Sequence, residues 1–126
     1  MGQIKVEKNV GGIEGLCVIE PAVHGDARGY FMEIYNEKDM KEVGIDIHFV
    51  QDNQSMSTKG VLRGLYFQKQ YPQCKLVRAV VALCLMLLLT SEAILKPMAS
   101  GMVSSCRPRI RSSSLSRKDL LMASWF

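Results

Sequence analysis

Two arginines give the first chemical clue in this chain. Arg28 stands in Asp26-Ala27-Arg28-Gly29-Tyr30-Phe31-Met32-Glu33, at a turn beside Gly29, where a guanidinium reaches outward. Arginine suits bidentate contact with phosphate oxygens, although an isolated Arg-Gly is often a solvated surface pair. Arg63 lies inside the apolar stretch Val61-Leu62-Arg63-Gly64-Leu65. An unpaired charge in a strand interior is costly to bury, so this one needs an anion or faces a wet cavity. Near it in sequence, Gln51, Asn53 and Gln68 carry amides fit to read a base or a sugar, or to serve as ordinary strand-edge polarity. Asp52 adds a carboxylate to that stretch. Lys75 opens the next apolar run, where a lone lysine is usually a surface group.

The elements that must position these residues read as β-rich. Ile13–Ile19 and Tyr30–Tyr35 alternate in and out, with Pro21, Gly25 and Gly29 as turn formers between them. Asn36 is placed to cap a short helix over Glu37–Val43, which Gly44 ends. Ile47–Gln51, Val61–Gln68 and Cys74–Val80 are further strand candidates. Short strands with Gly/Pro turns and one small helix predict a mainly β sandwich or jelly roll. Roughly six strands in the first 80 residues fall short of the ~8 of a closed jelly roll. An incomplete barrel with an unpaired sheet edge is therefore expected, followed by a tail that is irregular or partly helical.

At 126 residues the chain is long enough for one domain. Its charge of +4 is unevenly spread. Acids and bases balance through residue 80, whereas residues 81–126 hold only Glu92 and Asp119 against Lys96, Arg107, Arg109, Arg111, Arg117 and Lys118. Glycine falls and serine rises across the same point, so a boundary is expected there, dividing 1–80 from 81–126. Cys17, Cys74, Cys84 and Cys106 form no Cys-x-x-Cys pair, and Lys5, Glu7 and Lys8 interrupt any leader-like apolar run. Free thiols in a reducing cytoplasm are expected. The apolar run Ala79–Leu89 is about half the ~20 residues a membrane span needs, and reads as a buried strand or helix. Val80–Leu89 has no evident partner strand, which predicts poor solubility.

Taken in order, the motifs resemble those of the dTDP-4-dehydrorhamnose 3,5-epimerase family. The likeness rests on Asp-x-Arg-Gly-x-Phe-x-Glu from Asp26, Gln-Asp-Asn-x-Ser-x-Ser from Gln51, Gly-Val-Leu-Arg-Gly-Leu-x-Phe-Gln from Gly60, and Lys75-Leu76-Val77-Arg78. It covers residues 1–80. The resemblance implies a cupin-type jelly roll without metal or cofactor, usually a homodimer, acting on a dTDP-sugar, with no nucleic acid or membrane partner. Only His24 and His48 are present, with no His-x-His, in keeping with a metal-free site. By the same likeness Arg28 and Arg63 would hold the diphosphate, and Phe31, Glu33, Gln51, Asp52 and Asn53 would line the nucleotide-sugar pocket. Lys75 would stabilise the enolate formed when protons leave the carbons flanking the C4 ketone. That reaction needs a base, an oxyanion stabiliser and an acid. The family's basic histidine falls at Tyr66. Imidazole ordinarily titrates near ~6.5 and a phenol near ~10, so much of the ~10²–10⁴-fold of general-base catalysis should be lost. The family's acidic tyrosine has no counterpart, since residues 81–126 contain no Tyr.

The tail invites a codon-level explanation. A family-like Asp-Val-Ala-Val-Asp-Leu, written GAT GTT GCT GTT GAC CTC and read from its second base, gives Met-Leu-Leu-Leu-Thr-Ser, the run Met86–Ser91. Tyr-Gly-Lys-Trp-Tyr-Gly-Val-Val shifts in the same way to Met98–Ser104. Glu-Gly-Phe-Ala-His-Gly-Phe shifts to Lys118–Ser124, and its continuation gives Trp125, Phe126 and a stop. The expectation is an out-of-frame tail on a truncated, impaired epimerase. Two alternatives stand beside it. One is a non-catalytic fragment that holds a nucleotide sugar through Arg28 and Arg63. The other is a genuine basic arm over Arg107–Lys118, binding nucleic acid or anionic membrane, though it lacks interleaved aromatics.

Overall fold

The computed structural model describes residues 4–66, 68, 70–71, 73–81, 84–90, 101–106, 113–116 and 120–125. Strand β1 (Ile4–Lys8) pairs antiparallel with β2 (Cys17–Pro21), setting Val6 opposite Ile19. On β2 the alternation is strict, with Cys17, Ile19 and Pro21 buried and Glu20 exposed. A 3-10 turn at Val10–Gly12 precedes it, so the strand expected from Ile13 starts only at Cys17. Strands β3 (Val23–Asp26) and β4 (Gly29–Met32) form a separate hairpin. Helix α1 (Glu37–Glu42) follows. The Asn36 side chain accepts from the N–H groups of Lys38 and Asp39 at 3.0 and 3.3 Å, the expected cap. Gly44, just beyond the helix, has a φ of 85°, the left-handed geometry common at helix ends.

Residues 46–58 form no strand, which corrects the strand expected over Ile47–Gln51. The segment nevertheless alternates like a strand, with Ile45, Ile47 and Phe49 facing the core and Asp46, His48 and Val50 facing solvent. Periodicity reports which side a residue faces, not whether its backbone joins a ladder. Phe49 meets Tyr35 edge to face, with ring centres 5.5 Å apart. The core is built from Cys17, Ile19, Met40 and Ile45, flanked by Ile4, Val6, Val43, Leu76 and the 45–49 segment. Helix α1 and that segment therefore cover the β1–β2 sheet.

Strands β5 (Leu62–Tyr66) and β6 (Lys75–Arg78) match expectation closely. Beyond them the described residues of the tail form β7 (Cys84–Thr90), β8 (Gly101–Cys106), β9 (Ser113–Ser116) and β10 (Leu120–Trp125). The two larger sheets run β1-β2-β9-β6 and β5-β10-β7-β8. The irregular or partly helical tail is thus corrected for these residues, and so is the partnerless Val80–Leu89 run, since β7 lies between β10 and β8. Composition misled here because ladders use the N–H and C=O that almost every residue carries. The basic residues from Arg107 to Arg111, with Arg117 and Lys118, lie outside the described residues.

Candidate active site

The anticipated site residues fall on four pieces of the fold. The first is the β3–β4 hairpin. Asp26 and Gly29 occupy the first and fourth places of its turn, a type I turn signature. Asp26 Oδ1 accepts the backbone N–H of Arg28 at 2.8 Å. The Arg28 guanidinium turns back on the same carboxylate, donating from Nε to Oδ2 at 3.1 Å and from Nη2 to Oδ2. These bonds hold the Asp26 carboxyl below the usual carboxylate range, and push the guanidinium further toward its charged form. The Arg28 side chain is still 91% exposed. Phe31 pairs with His24 across the hairpin and is 69% exposed. Glu33, just past β4, is half-buried, and its Oε1 is enclosed with no hydrogen-bond partner among the described residues.

The second piece is the irregular segment after the core-facing Phe49. Gln51 Nε2 donates to Asn53 Oδ1 at 3.3 Å, and both residues are exposed, as is Asp52. The third piece, β5, joins this segment through Arg63, whose Nη2 donates to the Met56 carbonyl at 3.1 Å. Among the described residues, strand β5 is the edge of its sheet and pairs only with β10. Its register is interrupted. Tyr66 pairs with position 122 and Arg63 with position 124, so three steps on β5 match two on β10. That is a β-bulge. Gly64 sits within it at φ 135°, a backbone geometry that favours glycine. Because cross-strand partners share a face, the bulge brings Arg63 and Tyr66 to one side of the strand. Tyr66 is 59% exposed there, while Gln68, beyond the strand's end, is exposed too.

The fourth piece is β6, where Lys75 is the first residue and half-buried. It lies on the other large sheet, also at an edge. The structure therefore joins Arg63 to the 51–57 segment, sets Tyr66 on Arg63's side of β5, ties Arg28 to its own turn, and places Lys75 on a separate sheet. A solvent-open cleft of about 620 Å³ lies elsewhere, lined by Ile4, Lys5, Glu20, Asp39 and Glu42 among others, and holds none of these residues. Among the described residues no three of His, Cys, Asp and Glu are grouped to hold a metal ion. No helix there is long and apolar enough to cross a membrane. Sequence reasoning passed over Asp26, Gly64 and the Met56 carbonyl. The Asp-x-Arg-Gly turn pattern and the Arg-Gly pair inside a strand were the signals available.

Comparison with known proteins places these features. The sequence model of the dTDP-4-dehydrorhamnose 3,5-epimerase family matches residues 11–87. The chain is 56% identical over 68 residues to the dTDP-4-dehydrorhamnose 3,5-epimerase of Methanothermobacter thermautotrophicus, which is 54% of this chain and 37% of that protein. It is 53% identical over 83 residues to the Shigella flexneri enzyme of the same name, 64% of this chain and 43% of that one. The chain thus spans less than half the length of these curated relatives. Among solved structures, the Bacillus anthracis dTDP-4-dehydrorhamnose 3,5-epimerase with TDP and pyrophosphate bound superposes with a TM-score of 0.84 at 25% identity, covering 98% of this chain and 70% of that one. A dTDP-6-deoxy-D-glucose-3,5-epimerase from Legionella pneumophila, in complex with dTDP-4-keto-L-rhamnose, gives 0.83 at 28% identity, with 98% and 65% covered. The fold is mainly β, of the cupin-type jelly-roll class. With its arginine, amide and lysine motifs inside a match that covers more than half its length, the chain belongs to the dTDP-4-dehydrorhamnose 3,5-epimerase family.

Proposed function

We propose that this chain takes a dTDP-linked 4-keto-6-deoxysugar and carries the 3,5-epimerase chemistry of its family in strongly reduced form. Arg28 and Arg63 hold the diphosphate, and Phe31, Glu33, Gln51, Asp52 and Asn53 line the nucleotide-sugar pocket. Lys75 stabilises the enolate oxygen after a proton leaves a carbon beside the C4 ketone. The observation that carries this reading is the shared face of Arg63 and Tyr66 on edge strand β5. It sets a phosphate-holding cation beside the position from which a base would work. With a phenol at that position, proton abstraction loses its efficient acceptor while binding is retained. The test is calorimetric titration of the purified 126-residue chain with thymidine diphosphate, alongside Arg63→Ala. Binding that the substitution abolishes supports the reading, and absence of binding by the unaltered chain sinks it.

A non-catalytic nucleotide-sugar binder is the second reading, favoured by Tyr66 itself. Deuterium exchange from heavy water at the sugar carbons flanking the ketone would separate it from the first. We also propose a homodimer. The β3–β4 hairpin exposes Val23, Tyr30 and Phe31, and a second copy covering it would bury them. A monomeric mass by light scattering at micromolar concentration would contradict this.

Residues 81–126 are proposed to be read out of frame. Dropping one base moves each codon's third base to its second position, where thymine encodes apolar residues. A shifted strand can thereby keep apolar runs such as Leu85–Leu89. Nucleotide sequence across the codons of residues 60–126 decides it, because codons incompatible with the shift would refute the proposal.

A further inference from the structure

We infer that Asp26 is a positioning residue for Arg28, fixing which edge of the guanidinium meets the diphosphate. The inference rests on the functional reading above, and extends it to a residue with no role in that reading. Asp26 engages Arg28 twice, at the backbone N–H through Oδ1 and at the guanidinium through both oxygens. The first bond locks the turn, and the second locks the side chain that the turn presents. A guanidinium has two edges suited to bidentate contact. The Nε–Nη2 edge is taken by Asp26. The outer edge, Nη1 with the second hydrogen of Nη2, is left to solvent on a side chain that is 91% exposed.

An arginine at a hairpin tip has many rotamers, and immobilising such a chain on binding is costly. Asp26 makes part of that ordering before the ligand arrives. It also brings a negative charge close to where phosphate would sit, and repulsion alone would weaken binding. The two effects have opposite signs, so the sign of a substitution distinguishes them.

The experiment is a double-mutant cycle on the full chain, read by titration with thymidine diphosphate. Asp26→Asn keeps an oxygen for the Arg28 N–H and a side chain of the same shape, but removes the ion pair. Positioning predicts that Asp26→Asn weakens binding by about 2–10-fold, despite removing a repulsive charge. In an Arg28→Ala background only the repulsion is left to remove, so the same substitution should no longer weaken binding and should leave it equal or modestly tighter. A purely structural role for Asp26 would instead weaken binding equally in both backgrounds. Tighter binding by Asp26→Asn, or an equal effect in both backgrounds, overturns the inference and leaves the functional reading intact. Failure of the unaltered chain to bind overturns both.

Discussion

Arg63 and Tyr66 stand three residues apart on β5, yet they occupy one face of their sheet. In a regular strand an odd spacing sends two side chains to opposite faces. Here the ladder to β10 spends three β5 residues against two, and Gly64 takes up the extra residue at φ 135°. The chemistry proposed for this strand depends on that irregularity, because without it the cation and the base position would be separated by the sheet.

Gly64→Ala should therefore be costly. A side chain at this φ is strained, and the expected loss is roughly 1–3 kcal/mol of folding stability, read as a shift in the urea midpoint. Thymidine diphosphate binding should weaken with it, since relieving the strain regularises the strand and turns Arg63 away from Tyr66. An unchanged midpoint with unchanged binding would show that the bulge tolerates any residue.

Much of this was legible in the sequence, and what was missed has a common physical cause. The cap at Asn36 and the stop at Gly44 were readable because both act within one helical turn. The inward alternation of Ile45, Ile47 and Phe49 was readable for the same reason. The absence of a ladder there was not, since pairing depends on residues far away in sequence. Strand β1 was overlooked because Lys5, Glu7 and Lys8 outnumber its two core-facing residues, Ile4 and Val6. The bulge at Gly64 exists only relative to β10, some sixty residues on. Motif order identified the family, but it said nothing of which face each motif residue would occupy.

Met40 ties α1 to the sheet. It is 2% exposed, and its cluster includes Cys17, Ile19 and Ile45. Truncation by Met40→Ala removes buried methylenes and leaves a cavity, at an expected cost of roughly 2–5 kcal/mol. Chemical denaturation checks it. A loss well below 1 kcal/mol would mean that α1 packs only loosely on the sheet.

Acid should loosen the helix through Glu37. Lys41 lies 3.3 Å from Glu37 Oε1 and His48 Nδ1 lies 3.4 Å from the same oxygen, and together they hold this carboxyl below its ordinary 4.5. A carboxyl with a lowered folded pKa contributes stability above its unfolded value, and that contribution disappears as pH falls through the folded one. The stability difference between the wild-type chain and Glu37→Gln should then shrink as pH drops below 4.5. A difference that stays constant or grows in acid would contradict the assignment. The group is exposed, so the effect is small and should weaken further in high salt.

The central claim is that a sugar-nucleotide site is present and that Tyr66 occupies the place of its base. The most direct test is deuterium incorporation from heavy water into a dTDP-linked 4-keto-6-deoxysugar, followed by proton NMR, for the unaltered chain and for Tyr66→His. Imidazole titrates near neutrality and accepts protons there. The expected result is slow or undetectable exchange by the unaltered chain and a rate about 10²–10⁴-fold higher with Tyr66→His, at the carbons flanking the ketone. Exchange that is equally absent from both proteins while thymidine diphosphate still binds would contradict the claim that Tyr66 stands at the base position.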